Sequence, residues 1–268
     1  MIGINMKACQ QELHNWGAAN QVAFDPSKES HHILSLSNSS FSTFKMLGVT
    51  FDSELSMSEA VSEIVTAAGW KLRTLLRTRR YYTDSDLIGA YKPHLLSFLE
   101  YRTPAVYHAT RAVLHRLDSV QTEFLKNVGV DKVTGLVEFH LAPLCVRRDI
   151  AILGLIHRTV LCKGMPQFAE HFRPGRQHKL HDPRNDCAAL LIRRSVFGLC
   201  AVYNLLPPQI VAMKSVSAFQ RGVQDMVCNL AKSGHPQWRE MTSPRIALST
   251  HPLVSCFSSC PRNTSVSD

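Results

Sequence analysis

The chain has no adjacent pair of aspartates, no Gly-x-Ser-x-Gly element, and no acidic residue between Glu63 and Asp84. Without Gly-x-Ser-x-Gly there is no strand-to-helix elbow of the kind on which α/β-hydrolases mount a nucleophilic serine. No apolar run reaches the roughly 18 residues that a membrane-spanning helix needs. The start, MIGINMKACQQELHNW, lacks the charged end and apolar centre of a secretory signal. The expected location is the nucleus or cytoplasm, with no secretion and no membrane partner. Zinc spacing is missing too. Cys256 and Cys260 make one pair with His251 nearby, and His178, His181 and Cys187 fall in another loop, but no second pair at finger spacing follows. No metal ligands are assigned. The eight cysteines are scattered through apolar stretches, as reduced core thiols are, and do not form a disulfide framework.

What is present is basic and apolar. The 268 residues carry a formal charge of +9, and 45% of them are hydrophobic, an ordinary fraction for a globular chain. The charge points to a polyanionic partner, of which nucleic acid is the commonest. Length allows one large domain or two small ones.

Residues 5–16 have a helical pattern ended by Gly17–Asn20, and FDPSK (24–28) is a turn set by Pro26. HHILSLS (31–37) alternates as a half-buried strand does. FKMLGVTFD (44–52) is expected to be a second strand, antiparallel to the first across a polar loop. Ser56 is expected to cap a long helix, with Glu59 completing a capping box. On a wheel of about 100° per residue, Val61, Ile64, Val65, Ala68, Leu72, Leu75 and Leu76 share one arc. Arg73, Arg77 and Arg80 share another, with Trp70 beside them. Further helices are read at 84–101 (kinked at Pro93), 111–128, 143–164 (closed by Gly164), 187–207 and 215–231, with a polar loop at 173–186. From Ser233 onward the Pro, Ser and Thr content suggests a disordered tail.

Five stretches in order carry a resemblance: LHNWGAANQVAFDPSKE, FKMLGVTFDSELSMSEAVSEI, AYKPHLLSFLEYRTPAVY, LDSVQTEFLKNVGV and RRSVFGLCAVYNLLPPQIVAMKSVSAFQ. Together they resemble the reverse transcriptases of non-LTR (LINE-type) retrotransposons, over most of the chain to about residue 230. The resemblance implies a mainly α fold with a small β-hairpin, in four parts. Residues 1–52 would be a palm remnant, 53–130 a helical thumb-like region, 131–232 a helical C-terminal region and 233–268 the tail. Phe44, Leu47, Gly48 and Val49 match the primer-grip hairpin, and the helix from Ser56 to Arg80 matches the first thumb helix. Lys71, Arg73, Arg77, Arg80 and Trp70 then become the expected contacts to an RNA, RNA–DNA or DNA template–primer duplex, since phosphate binding needs cations free of competing carboxylates.

The same resemblance says what this chain lacks. The family's polymerases hold magnesium on an early palm Asp and an aromatic-x-Asp-Asp box. Here there is no Asp-Asp pair, and the expected start lies inside the palm after the active site, without fingers or endonuclease. Lys28 matches a family lysine that assists the leaving pyrophosphate. However, Asp25 stands where Asn is usual and Glu29 where Cys is common, and a lone acid cannot run the reaction. Tyr107 and Tyr203 replace the usual Trp, as in YNLLP for WNSLP. The expected activity is nucleic-acid binding by a catalytically inactive fragment of an RNA-directed DNA polymerase. Two alternatives are a helical module that binds protein through apolar helices of 111–230, and a non-functional retroelement relic.

Overall fold

The computed structural model describes residues 2–30, 32, 34, 43–169, 172, 179, 180 and 190–257, and it is mainly helical with one two-stranded antiparallel sheet. Helix α1 (Ile2–Ala19) runs past Gly17, and it stops where the Asn20 amide donates to the Trp16 carbonyl and Gln21 turns left-handed at φ 59°. The FDPSK turn is a 3-10 turn at Pro26–Lys28, fastened by the Asp25 carboxylate, which accepts from Ser27 N and Oγ at 3.0 and 2.7 Å.

The hairpin differs from the sequence reading. The expected strand over 31–37 lies largely outside the described residues. The segment 44–52 is not one strand: it folds back on itself as β1 (Phe44–Met46) and β2 (Val49–Phe51). Phe44 faces Phe51, Lys45 faces Thr50, and Met46 faces Val49. Leu47 (φ 49°) and Gly48 (φ 78°) both take left-handed conformations, which gives a two-residue hairpin loop the twist its strands need. Glycine supplies one of those two positions without a steric cost.

Helix α2 (Ser58–Arg77) starts two residues later than expected, and no Ser56–Glu59 capping box forms. Asp52 takes over that role: its carboxylate accepts from Ser56 N at 2.8 Å and from Met57 N at 2.9 Å. Val61, Ile64, Ala68 and Leu72 are buried, as the wheel predicts. Helix α3 (Asp84–Tyr91) opens on a true capping box between Thr83 and Asp86. Pro93 then sits in a π-helical stretch, Lys92–Leu96, that leads into α4 (Ser97–Tyr101) and a short α5 (Thr103–Val106). The break is where the missing proline N–H forces one. Helix α6 (Arg111–Val128) covers the expected span and ends on Gly129 at φ 80°. These elements enclose a first core built around Met57, Tyr91, Leu95, Phe124 and the buried face of α2.

A second core is built on α7 (Lys132–Val137), α8 (Leu144–Val160), α9 (Pro166–Ala169), α10 (Leu190–Arg194), α11 (Leu199–Leu205), α12 (Pro208–Val211) and α13 (Val216–Lys232). Helix α8 closes at Leu161, short of Gly164, because Cys162 adopts φ 56° and its N–H turns back to the Thr159 carbonyl. The expected 187–207 helix is broken between α10 and α11 by a 3-10 turn, Val196–Gly198, capped by Ser195. At Gly198 a β-carbon would lie 2.1 Å from the Arg193 carbonyl oxygen, so only glycine permits that turn.

The expected disordered tail (233–268) is corrected over its described part, 233–257. Trp238, Met241, Thr242, His251 and Leu253 are buried, and α14 (Pro252–Phe257) closes the described chain. Arg245 explains the order: its Nη2 donates to the Tyr107 carbonyl at 2.6 Å, and its guanidinium lies 5.0 Å from the Tyr107 ring centroid. Arg111 also reaches Glu240 at 2.7 Å.

Candidate nucleic-acid interface

Helix α2 has two opposed faces. At about 100° per residue, Trp70, Arg73 and Arg77 lie on the far side from Val61, Ile64, Ala68 and Leu72, and all three are exposed. The Arg73 guanidinium stacks 4.2 Å from the Trp70 ring centroid, and its Nε donates to the Gly69 carbonyl at 3.2 Å. One turn beyond the helix end, in the 3-10 turn Arg79–Tyr81, Arg80 stacks 4.7 Å from the Tyr81 ring. Among the described residues, no carboxylate lies within salt-bridge reach of Lys71, Arg73, Arg77, Arg79 or Arg80. Part of this charge has a purely structural use, because cations at a helix C-terminus complement the partial negative charge of its free carbonyls. That accounts for one or two cations, not for five within ten residues that all lack an acid.

Lys71 does not join the stripe. It projects to the flank, with Nζ 5.2 Å from the Phe98 ring, and Arg102 approaches the same ring at 4.9 Å. Arg79, Tyr81 and Tyr82 join the cationic end although the wheel argument did not select them. Their signal was present as RTRRYY, an arginine cluster running straight into two tyrosines.

The primer-grip-like residues are divided by the fold. Val49 is core at 6% exposure, whereas Leu47, at 87%, is the bare tip of the hairpin beside Gly48. Phe44 stacks on Phe51 and on His32, at centroid distances of 5.4 and 4.2 Å. The hairpin is joined to the start of α2 through Thr50 Oγ1, 3.0 Å from Glu63. Hairpin and cationic stripe therefore lie towards opposite ends of one helix, about 15–21 Å apart along its axis from Glu63 to Arg73–Arg77 at 1.5 Å per residue.

Lys28 is exposed on its turn and sits 3.4 Å from Asp25. Hydrogen bonds from Ser27 hold the Asp25 carboxyl below its ordinary range. Glu29 is engaged elsewhere, 2.7 Å from His14 Nε2. Among the described residues no three His, Cys, Asp or Glu side chains converge to hold a metal ion. His251 is committed to the fold: its Nδ1 accepts from Leu253 N at 3.2 Å, and its Nε2 donates to the Ser243 carbonyl at 3.3 Å. His178, His181, Cys187 and Cys260 lie outside the described residues. Cys9 and Cys162 are exposed, a correction to the reading of all cysteines as core thiols. No helix is long and apolar enough to cross a membrane among the described residues.

The apolar stripes of α6, α8 and α13, which a protein-binding module would present outward, are buried in the two cores. Comparison with family models, with curated proteins and with solved structures finds no match to this chain.

Proposed function

We propose that this chain is part of a non-LTR retrotransposon RNA-directed DNA polymerase. It would comprise the end of the palm (1–52), a thumb-like region (53–130) and a helical C-terminal region (131–232), and act in the nucleus or cytoplasm. It binds a template–primer duplex without catalysing synthesis itself. The observation that carries the reading is the acid-free cationic stripe on the C-terminal half of α2, set opposite the face that builds the first core. Arg73 and Arg77 on one exposed arc, with Arg80 on the turn that follows, meet a phosphate backbone without a competing carboxylate beside them, and such contacts are independent of sequence and sensitive to salt. A duplex would meet the stripe at the C-terminal half of α2, since the exposed Glu59 and Glu63 occupy the same arc nearer its start. The five ordered stretches that resemble the family support the same placement.

The test is affinity for a primer–template across a salt series, for the wild type and for the triple variant Arg73→Ala, Arg77→Ala, Arg80→Ala. These exposed positions keep the fold within about 0.5 kcal/mol each. Loss of three phosphate contacts makes the slope of log affinity against log salt shallower by about 2.7, equally for all sequences. An unchanged affinity and slope would remove the reading.

A further inference from the structure

We infer that the cationic end of α2 is a stacking platform for unpaired bases, so that its ligand is a single-stranded segment of nucleic acid and not a duplex backbone alone. The inference rests on the nucleic-acid reading above and goes beyond it by naming what the aromatic side chains recognise. Trp70, Tyr81 and Tyr82 are 61, 70 and 57% exposed; Trp16 and Tyr101 are exposed as well, but among the described residues no arginine lies over either ring. Exposed rings of this size cost solvation and contribute nothing to the core. Two of them carry arginines in stacked positions, Arg73 over Trp70 and Arg80 over Tyr81. A phosphate contact requires only a cation, and a free arginine makes it as well as a stacked one. A guanidinium plane held against an aromatic ring is instead a flat surface, of the kind on which nucleic-acid bases stack.

The platform is also fixed in place. Arg73 is tied down by its bond to the Gly69 carbonyl. The turn that carries Arg80, Tyr81 and Tyr82 is clamped on both sides. Thr78 closes α2 with its Oγ1 2.7 Å from the Leu75 carbonyl, and Tyr82 N turns back to Arg79 O before the Thr83–Asp86 capping box begins α3. Rings presented by rigid elements lose little freedom when a base docks. In a paired duplex the base faces are covered by their neighbours. Only an unpaired strand, such as the overhang beside a duplex, can offer them.

The deciding probes are a thymidine oligomer of about 12 nucleotides, within the usual single-strand site size, and an abasic oligomer of the same length and phosphate count. The wild type is expected to bind the thymidine strand at least about ten-fold more tightly, which is the low end for stacking of even one or two bases. The variant Trp70→Ala, Tyr81→Ala, Tyr82→Ala should bind both strands equally, with the salt slope unchanged, and the corresponding Phe variant should restore the difference. The arginine triple variant should weaken both strands. Equal wild-type affinity for thymidine and abasic strands would overturn the platform and leave backbone binding standing. No affinity for either strand or for a primer–template would overturn both readings.

Discussion

The core around α2 and α6 and the core around α8 and α13 contain helices of similar length, yet they are closed by different forces. The first is a packing solution: Tyr91 and Phe124 stack with centroids 4.1 Å apart, surrounded by Met57, Leu72, Leu87, Ile88 and Leu95. In the second, all the described buried side chains of Arg, Asp and His type appear, namely Arg148, Asp149, His157 and His251. Asp149 accepts from the Tyr107 hydroxyl at 2.7 Å and from Thr242 at 3.4 Å, and Arg148 reaches Asp118 at 2.8 Å. These bonds join segments far apart in the chain, and the first core also joins distant helices, α2 with α6, but by apolar contact instead of directional bonds. The difference teaches how the C-terminal segment is held. It has no long amphipathic helix of its own, and directional bonds to α8 and to residues 107–109 fix it in place of a broad apolar face.

The sharpest way to separate the two is a truncation in the first core. Phe124→Ala removes a fully buried ring and is expected to destabilise by about 3–5 kcal/mol. Its stacking partner is Tyr91, whose hydroxyl burial keeps neutral, so the cost, measured by urea unfolding, should be the same at pH 5 and pH 8. A cost that changes with pH would mean the first core is coupled to the polar network of the second.

The second core should respond to pH instead. Burial pushes the Asp149 carboxyl up from 3.8 to about 6, against the Tyr107 hydrogen bond and the charges of Arg245 and Arg148. The folded chain therefore binds a proton that the unfolded chain does not, between those two values. Stability from this group is present at low pH and is lost as pH rises through about 6. His157 and His251, whose ring pKa values burial pulls down, act in the opposite direction and destabilise the fold as pH falls. The difference between wild type and Asp149→Asn cancels the histidines. Asn keeps an acceptor for Tyr107, so the variant should fold. Moving from pH 7.5 to pH 4.5 should shift that difference towards the wild type by about 2 kcal/mol, at 1.36 kcal/mol per pKa unit. A flat difference would show that Asp149 titrates as an ordinary carboxylate and that the second core is not defined by it.

How much of this was legible depends on where the information lies. The stripes of α2, α6 and α13 repeat within the chain, and the sequence pattern found their cores and the exposed Trp70–Arg73–Arg77 arc together, while Arg80, which the wheel also selected, lies past the helix end. A small hairpin was expected, but the residue pattern put its turn before Phe44, because leucine at Leu47 does not announce a left-handed residue. Segment 233–257 was hidden more thoroughly. Trp238, Met241, Thr242 and Leu253 follow no period, and the order comes from Arg245 and Thr242 meeting partners 138 and 93 residues away. The Lys71 deviation was likewise invisible, because it depends on Phe98, which a wheel drawn for α2 alone does not contain.

The smallest effect tests the comparison with one atom in each core. The Tyr91 hydroxyl is buried with no hydrogen-bond partner among the described residues, and burial raises its pKa strongly. The Tyr203 hydroxyl is 2.8 Å from His157 Nδ1, while His157 Nε2 lies 2.8 Å from the Met213 carbonyl. A carbonyl only accepts, so Nε2 carries the proton, Nδ1 is the acceptor, and Tyr203 donates. Tyr203→Phe thus leaves a buried ring nitrogen unpaired and should cost about 1–2 kcal/mol, while Tyr91→Phe removes an unpaired hydroxyl and should be neutral or stabilising by up to about 1 kcal/mol. Both keep the ring and its stacking, so volume does not enter. Opposite signs in thermal unfolding would place directional bonding in the second core and shape in the first. Equal costs would mean that the Tyr91 hydroxyl has a partner in solution, and that the first core is polar-fastened as well.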